Sequence, residues 1–498
     1  MASLQKEYSQ EKLFGQVYTP PFIVCKILND VGYKSKNILG KKILDPACGD
    51  GNFLIEVAKR IIKHSEMENL KENLECIYGW DTDVEAVEEC IKNLNELVDE
   101  KKLKIKWNII VQDSMKKYEK NSLFTIKKEI EKFDFIVGNP PYIRIQHLDV
   151  VQRKYIQDNY SFCKNGSTDI YIAFYELCSN ILAKNGICGL ITPNTFLFTE
   201  TAREMRLYFA THKNLLQITN YGDIQLFNNA ITYSAITIFN TKTYKKFLYQ
   251  KAISKTEFEE KKIEFSELRE PFWQLSTDGI EKIDGRKLKD ICNIHVGITT
   301  LCDKAYIFSI EEIDENYVYA NTKLKGKVKI EKAILKPIIK GSKLKNSNEE
   351  ITEYVLFPYR QKSNKHTIIS ENELKQKYPL AYNYLLSVKD ELDKRDNGVP
   401  NSVAWYAFGR SQGLDTSFGE KIIFSPMNHK PNFVYYNKPE CTFYSGYCIK
   451  YNGDISNLLQ QLNSQRMENF VSMSSRDFRG GWKAYNKKII ENFEVMHA

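Results

Sequence analysis

No CxxC pair occurs among the eleven cysteines of this 498-residue sequence, which are odd in number and scattered. A disulfide framework is therefore excluded, and a reduced, cytoplasmic chain is expected. The seven histidines include no HxxxH spacing, so no zinc cluster forms and no metal is expected. No apolar run approaches the roughly 18–20 residues of a membrane span. The opening MASLQKEYSQEKLFG lacks the apolar core of a secretion signal. Charge of one sign is also scarce, since 71 basic residues against 63 acidic leave only +8. That excess is local: residues 321–345 hold nine Lys and one Glu. Such a stripe contacts a polyanion or simply faces solvent.

What is present is ordinary globular material. An apolar fraction of 42% sustains packed cores, and the length suits two or three domains at roughly 100–200 residues each. The first half alternates short apolar runs with helical patterns, the signature of βαβ units. KKILDP (41–46), CIYGWD (76–81), Ile105–Val111, FDFIVG (133–138), ICGLIT (187–192) and TYSAITIF (232–239) read as strands. Asn52–Ile62, Val84–Val98 and Asp169–Leu182 read as helices, and KHSEMENLKENLE (63–75) as a loop or helix extension. The fold class expected is α/β: a doubly wound, mainly parallel Rossmann-like sheet with a second, mixed α+β domain. Residues 1–245 form the first domain, 246–285 a charged linker and 286–498 the second.

Three motifs carry chemistry. In DPACGDGNFL, Gly49 and Gly51 make a strand-to-helix turn where backbone approaches a ligand and helix amides point outward. No Walker lysine follows, so a P-loop is disfavoured. Asp81 ends the next strand, where an acid takes the two hydroxyls of a ribose, with Asp83 close enough to compete. Asp113 ends the strand after, placed to accept from an adenine amino group. Singly, each acid reads as a cap or turn residue; together they describe a nucleoside pocket. FDFIVGNPPYIRI then delivers Asn139, Pro140, Pro141 and Tyr142 to the same sheet edge. Two prolines remove two amide donors and leave carbonyl acceptors. Asn139 adds a side-chain carbonyl, and Tyr142 an aromatic face. Two acceptors and one stacking wall suit a planar amino group.

In order, QVYTP (16–20), DPACGDGNF (45–53), GWDTD (79–83), QDS (112–114), NPPY (139–142) and GLITPNTF (189–196) resemble the motif series of S-adenosylmethionine-dependent amino-methyltransferases. Their order, with a large C-terminal region last, resembles the gamma class of N6-adenine DNA methyltransferases, the TaqI-like group of restriction-modification systems. The likeness is strong over residues 14–245. It continues more loosely through VGITTLCDKAYIF (296–308), ILKPIIKGSKLK (334–345), YPLAYNYL (378–385) and WYAFGRSQG (405–413), which look like a target-recognition domain. DPACGDG stands where more distant members have FxGxG.

The resemblance implies that Tyr18, Thr19 and Pro20 line the methionine side of S-adenosyl-L-methionine. It implies further that Asp45, Ala47 and Gly49 hold the amino-acid end, Asp81 the ribose, and Asp113 with Ser114 the adenine. Asn139, which also borders the cofactor, and the Pro140 carbonyl would accept from the target amine. Tyr142 would stack on a flipped-out base, with Phe227 as the opposing aromatic or else a core side chain. S-adenosyl-L-homocysteine would be the product.

Alternate spacing of Lys323, Lys325, Lys327 and Lys329 predicts four ammonium groups on one strand face, able to follow a phosphate backbone. Arg410, Arg476, Arg479 and Lys483 are further candidates for contact with double-stranded DNA. NPPY also serves glutamine and RNA amino-methyltransferases, and a modification subunit needing a separate specificity chain is a third reading. A basic, aromatic-rich C-terminal region favours DNA. Fused methylase-nucleases of this family carry the nuclease ahead of the first motif. Only 15 residues precede QVYTP, so methylation without cleavage by a monomer is expected, with any cognate restriction endonuclease a separate protein. Asn at position 139 favours adenine over cytosine, where Ser is commoner.

Overall fold

The computed structural model describes residues 18–116, 130–164, 168–227, 233–268, 272–273, 275–276, 285–362, 365–475, 477–478 and 480–496. The chain divides into two compact units, Met1–Glu281 and Lys282–Ala498. Among the described residues no helix is long and apolar enough to cross a membrane.

Strands of the first unit are β1 (Ile43–Asp45), β2 (Ile77–Asp81), β3 (Asn108–Val111), β4 (Phe133–Gly138), β5 (Leu182–Pro193), β6 (Leu215–Asn220), β7 (Ser234–Asn240), β8 (Lys246–Ala252) and β9 (Phe258–Glu264). They form one sheet in the order β3-β2-β1-β4-β5-β7-β6-β8-β9. The first five are mutually parallel, and β7 enters antiparallel between β5 and β6. Its helices are α1 (Pro21–Asp30), α2 (Asn52–His64), α3 (Met67–Leu74), α4 (Val84–Glu96), α5 (Val150–Asn159), α6 (Ile170–Ile181) and α7 (Arg203–His212).

Successive strand residues point to opposite faces, and the core divides accordingly. Ile43, Val137 and Ile191 pack in one cluster with α1 to α4, while Leu44, Ile136 and Leu190 pack in another with α6 and α7. Helix α2 buries Leu54, Val57, Ala58 and Ile61, the stripe a helical repeat aligns.

The charged stretch expected as a linker over 246–285 begins instead with two strands. β8 pairs parallel to β6 and antiparallel to β9, extending the sheet. Phe247, Tyr249, Ile263 and Phe265 supply the buried side chains, and Lys246 faces Glu264 across the pair at 3.0 Å. Charges lie on both faces of this edge hairpin: Lys251, Glu259 and Lys261 share a face with Phe247, Tyr249 and Ile263, while Lys246, Glu260, Lys262 and Glu264 lie on the other.

The second unit holds a six-stranded sheet in the order Gly326–Glu331, Tyr317–Thr322, Ile307–Ile313, Glu353–Leu356, Leu335–Lys340, Thr442–Tyr444. A four-stranded antiparallel sheet runs Asn293–Val296, Tyr447–Lys450, Lys421–Phe424, Phe433–Tyr436. Buried Arg395 sits in the first sheet's core, donating to the carbonyls of Leu392, Trp405 and Ala407 at 2.6–2.8 Å. A cation there is sustained because its donors meet acceptors.

Candidate active site

Parallel strands bring their carboxyl ends to one edge, and the order places β1 beside β4 at the point where chain direction switches across the sheet. Ligands of open α/β sheets bind there. Asp45 ends β1, Asp81 ends β2, Asp113 lies just past β3, and Asn139 follows β4. The two central strands touch through their tips: a Cβ on Gly138 would lie 2.6 Å from Asp45 Oδ1. Only glycine lets that carboxyl sit against the Asn139 strand.

The turn after β1 is shaped by backbone. Gly49 has φ +50° and open space where a Cβ would stand, whereas at Gly51 (φ +96°) a Cβ would meet Cys90 Sγ at 2.7 Å. Gly51 thus lets α4 pack against α2, and Gly49 leaves an approach to the backbone. Asp81 grips this turn, Oδ2 accepting from Gly49 N at 2.9 Å and Oδ1 from Asp83 N at 3.0 Å. Asp83 is the N-cap of α4, accepting from the amides of Glu85 and Ala86, so the competition between the two acids resolves to distinct tasks. Ser114 Oγ donates to the Pro46 carbonyl at 2.5 Å and ties the β3 end to the same turn. Asp113 accepts from Met115 N at 3.0 Å.

Asp45 is 1% exposed, with Oδ1 accepting from Ala47 N at 3.1 Å. Burial pushes its carboxyl up to about 8; the Ala47 amide opposes this and Asp81 adds to it. A cation beside Asp45 would reverse that cost.

Asn139 is half-buried, and its Nδ2 donates to Thr19 Oγ1 at 3.0 Å. Thr19 is buried, Pro20 half-buried and Tyr18 64% exposed. Pro140 is buried, and half-buried Tyr142 turns its hydroxyl inward to donate to the Ile191 carbonyl at 3.3 Å. Burial raises that phenol well above its ordinary range, with Tyr175 and Tyr171 adding to it, so the ring stays neutral. Tyr171 meets it edge to face at 6.4 Å. Sequence reasoning passed over Tyr171, which reads only as part of a helix. It also passed over Arg206, whose guanidinium donates to the carbonyls of Phe196 and Thr199 and holds the turn after β5.

Phe227, expected as the opposing aromatic or a core residue, is 2% exposed and packs in the core under α1 to α4. That burial agrees with the core alternative for Phe227.

The lysine stripe also differs from expectation. Lys323 and Lys325 stand in a hairpin turn closed by Gly326 at φ +66°, with Thr322 Oγ1 accepting from Lys325 N at 3.0 Å. Only Lys327 and Lys329 lie on the strand. Lys327 faces Glu311 at 3.1 Å, and Lys329 Nζ stands 4.1 Å from the Tyr317 ring centre. Arg410 binds Asp396 through two nitrogens, each at 2.9 Å. Lys483 lies on the short strand Trp482–Ala484, while Arg476 and Arg479 fall outside the described residues. Among the described residues, no group of three His, Cys, Asp or Glu could hold a metal ion.

Residues 75–227 match the Eco57I restriction-modification methylase family. At 24% identity, 95% of the chain aligns with the type II restriction enzyme and methyltransferase RM.Eco57I of Escherichia coli, spanning 56% of that protein. At 27% identity, 99% aligns with the type II methyltransferase M.BanIII of Aneurinibacillus aneurinilyticus, spanning 91% of it. The type IIL restriction-modification enzyme MmeI, solved in complex with DNA, shares the fold at a TM-score of 0.59 and 13% identity, over 95% of this chain and 66% of MmeI. In sequence over residues 75–227, and in fold along nearly all its length, this chain is similar to restriction-modification methylases and enzymes.

Proposed function

We propose that the protein is a site-specific DNA methyltransferase that methylates the N6 amino group of an adenine flipped out of double-stranded DNA. The observation that carries this reading is the meeting of two motifs at one sheet edge. Asp45 and the Gly49 turn stand directly against the strand that presents Asn139 and Pro140.

S-adenosylmethionine fits the donor set. Asp45 is a buried carboxyl in want of a cation, which the cofactor's ammonium provides. The open space at Gly49 admits close approach, while Asp81 and Asp113 offer carboxylates toward ribose and adenine. When bound, the cofactor supplies a methyl group activated on a sulfonium.

The chain's own groups handle the amine. An adenine amino nitrogen is a poor nucleophile because its lone pair is delocalised into the ring. Accepting its two hydrogens on Asn139 Oδ1 and the Pro140 carbonyl favours a tetrahedral nitrogen and stabilises the positive charge that develops there. The nitrogen becomes acidic once methylated, so water suffices to take its proton. Flipping the base costs roughly a few kcal/mol, which stacking on Tyr142 offsets by roughly 1–3 kcal/mol.

The second unit, with its basic hairpin and exposed Trp482, serves target recognition in this reading. Asn139 in the first position of NPPY favours adenine. The relative that this chain spans to 91% is named a methyltransferase alone, which favours modification without cleavage. A single copy working on cytoplasmic DNA completes the proposal.

The test supplies S-adenosylmethionine with a labelled methyl group and mixed-sequence duplex DNA, then maps the modified bases. Label in N6-methyladenine within one short motif is the expected result. Label in a protein or RNA fraction instead would overturn the reading of the second unit.

A further inference from the structure

We infer that Thr19 is a positioning residue for Asn139, setting which end of its amide faces the target amine; this rests on the methyl-transfer reading above. The two ends of an asparagine amide are nearly equal in size but opposite in chemistry, one a donor and one an acceptor. Chemistry on an amino group needs the acceptor end. Asn139 Nδ2 donates to Thr19 Oγ1 at 3.0 Å, and this commits the nitrogen end to Thr19 and turns Oδ1 to the other side of Cγ. Thr19 is 4% exposed, so water does not compete for the contact.

Backbone on both sides is unusually stiff. Thr19 precedes Pro20–Pro21 and Asn139 precedes Pro140–Pro141. Proline fixes its own φ and drives the residue before it into an extended conformation. Pro20 has φ −59° and ψ 143°, and its carbonyl accepts from the amides of Ile23 and Val24 at 2.9 and 3.2 Å, fastening it to α1. On the other side, Asn139 leaves β4 between β1 and β5. The hydrogen bond spans 120 positions of sequence, yet it joins two ends with little backbone freedom left to lose. Thr19 therefore links the segment expected to border the cofactor to the acceptor that receives the amine.

The experiment measures single-turnover methyl transfer to duplex DNA, S-adenosylmethionine affinity by calorimetry, and the melting temperature. It compares the wild-type chain with Thr19→Val, Thr19→Ser and Asn139→Ser, and with Thr19→Val combined with Asn139→Ser. Valine keeps the shape and removes the acceptor; Thr19→Ala replaces it if the melting curve shows an unfolded variant. Loss of one oriented hydrogen bond should slow transfer about tenfold at saturating S-adenosylmethionine, with Thr19→Ser restoring the rate. In the Asn139→Ser background, where no amide remains to orient, Thr19→Val should have no further effect. Wild-type transfer rates in Thr19→Val overturn the inference alone. So does an equal slowing in both backgrounds, or a loss that lies wholly in cofactor affinity. Absence of transfer by the wild-type chain overturns the proposed function, and this inference with it.

Discussion

The carboxyl edge of the first unit's sheet and the lysine hairpin of the second hold their polar groups in opposite ways. At the edge, Asp81 accepts from two backbone amides, Asn139 rests on Thr19, and Asp45 is enclosed against Gly138. Each is oriented before any ligand arrives. On the hairpin, the Lys327 side chain is 80% exposed beside Glu311, and Lys329 lies over Tyr317. Arg410, elsewhere in that unit, is clamped to Asp396. In the proposed reading, these cations would exchange an internal partner for a phosphate. Prior orientation suits alignment of reacting atoms, whereas exchangeable surface charge suits affinity that fades with salt.

Asn139→Ala should give the largest effect. Loss of a group aimed at developing charge costs about 10²–10³ in rate, and the measurement is single-turnover transfer, with the melting temperature little changed. A comparable loss of folding stability instead would make Asn139 structural and erase the contrast. Second comes Arg395→Met, which tests whether the second unit also contains pre-oriented charge. Three carbonyls lose a donor, although Ala407 keeps the Tyr306 hydroxyl and Leu392 the Lys394 amide, and stability should fall by about 1–3 kcal/mol in chemical denaturation.

Asp45 gives a pH signature. Its carboxyl stands at about 8 in the folded chain against an ordinary 3.8. Between those values the folded state keeps a proton that the unfolded state has lost. Its contribution to stability is thus full below the ordinary value and declines as pH rises toward about 8. Asp45→Asn should flatten that part of the stability profile. Cofactor binding at neutral pH should release a proton, read by calorimetry in buffers of different ionisation enthalpy. The smallest effects belong to the hairpin. Replacing Lys323 or Lys325 with Ala should reduce the salt dependence of DNA binding by about one unit of slope, and Lys327→Ala by less, because Glu311 already holds it.

The same contrast explains what could be read from sequence. FDFIVG is expected at 133–138 and β4 is Phe133–Gly138, because a buried parallel strand is a plain apolar run ending in a proline turn. The acids that end β1 and β2 and the one just past β3 follow from the same rhythm. Asp81 and Asp83 are indistinguishable by pattern, since only hydrogen-bond direction separates a cap from a turn clamp. β8 and β9 stay hidden because Lys and Glu occur on both faces and break the alternation that Phe247, Tyr249 and Ile263 would otherwise show. Lys323 to Lys329 keep perfect alternation, but Gly326 turns the chain midway. Phe227 looks alike in a core or beside a ligand, so its surroundings alone decide.

The hairpin that extends the first unit's sheet bears on behaviour at high concentration. β9 is the last strand of that sheet and reads Phe-Glu-Glu-Lys-Lys-Ile-Glu. An incoming strand would have to strip water from four consecutive charges to add to it, which guards the sheet against growing from one molecule into the next. Neutralising Glu259 to Lys262 would leave every contact within the pocket intact and still invite aggregation.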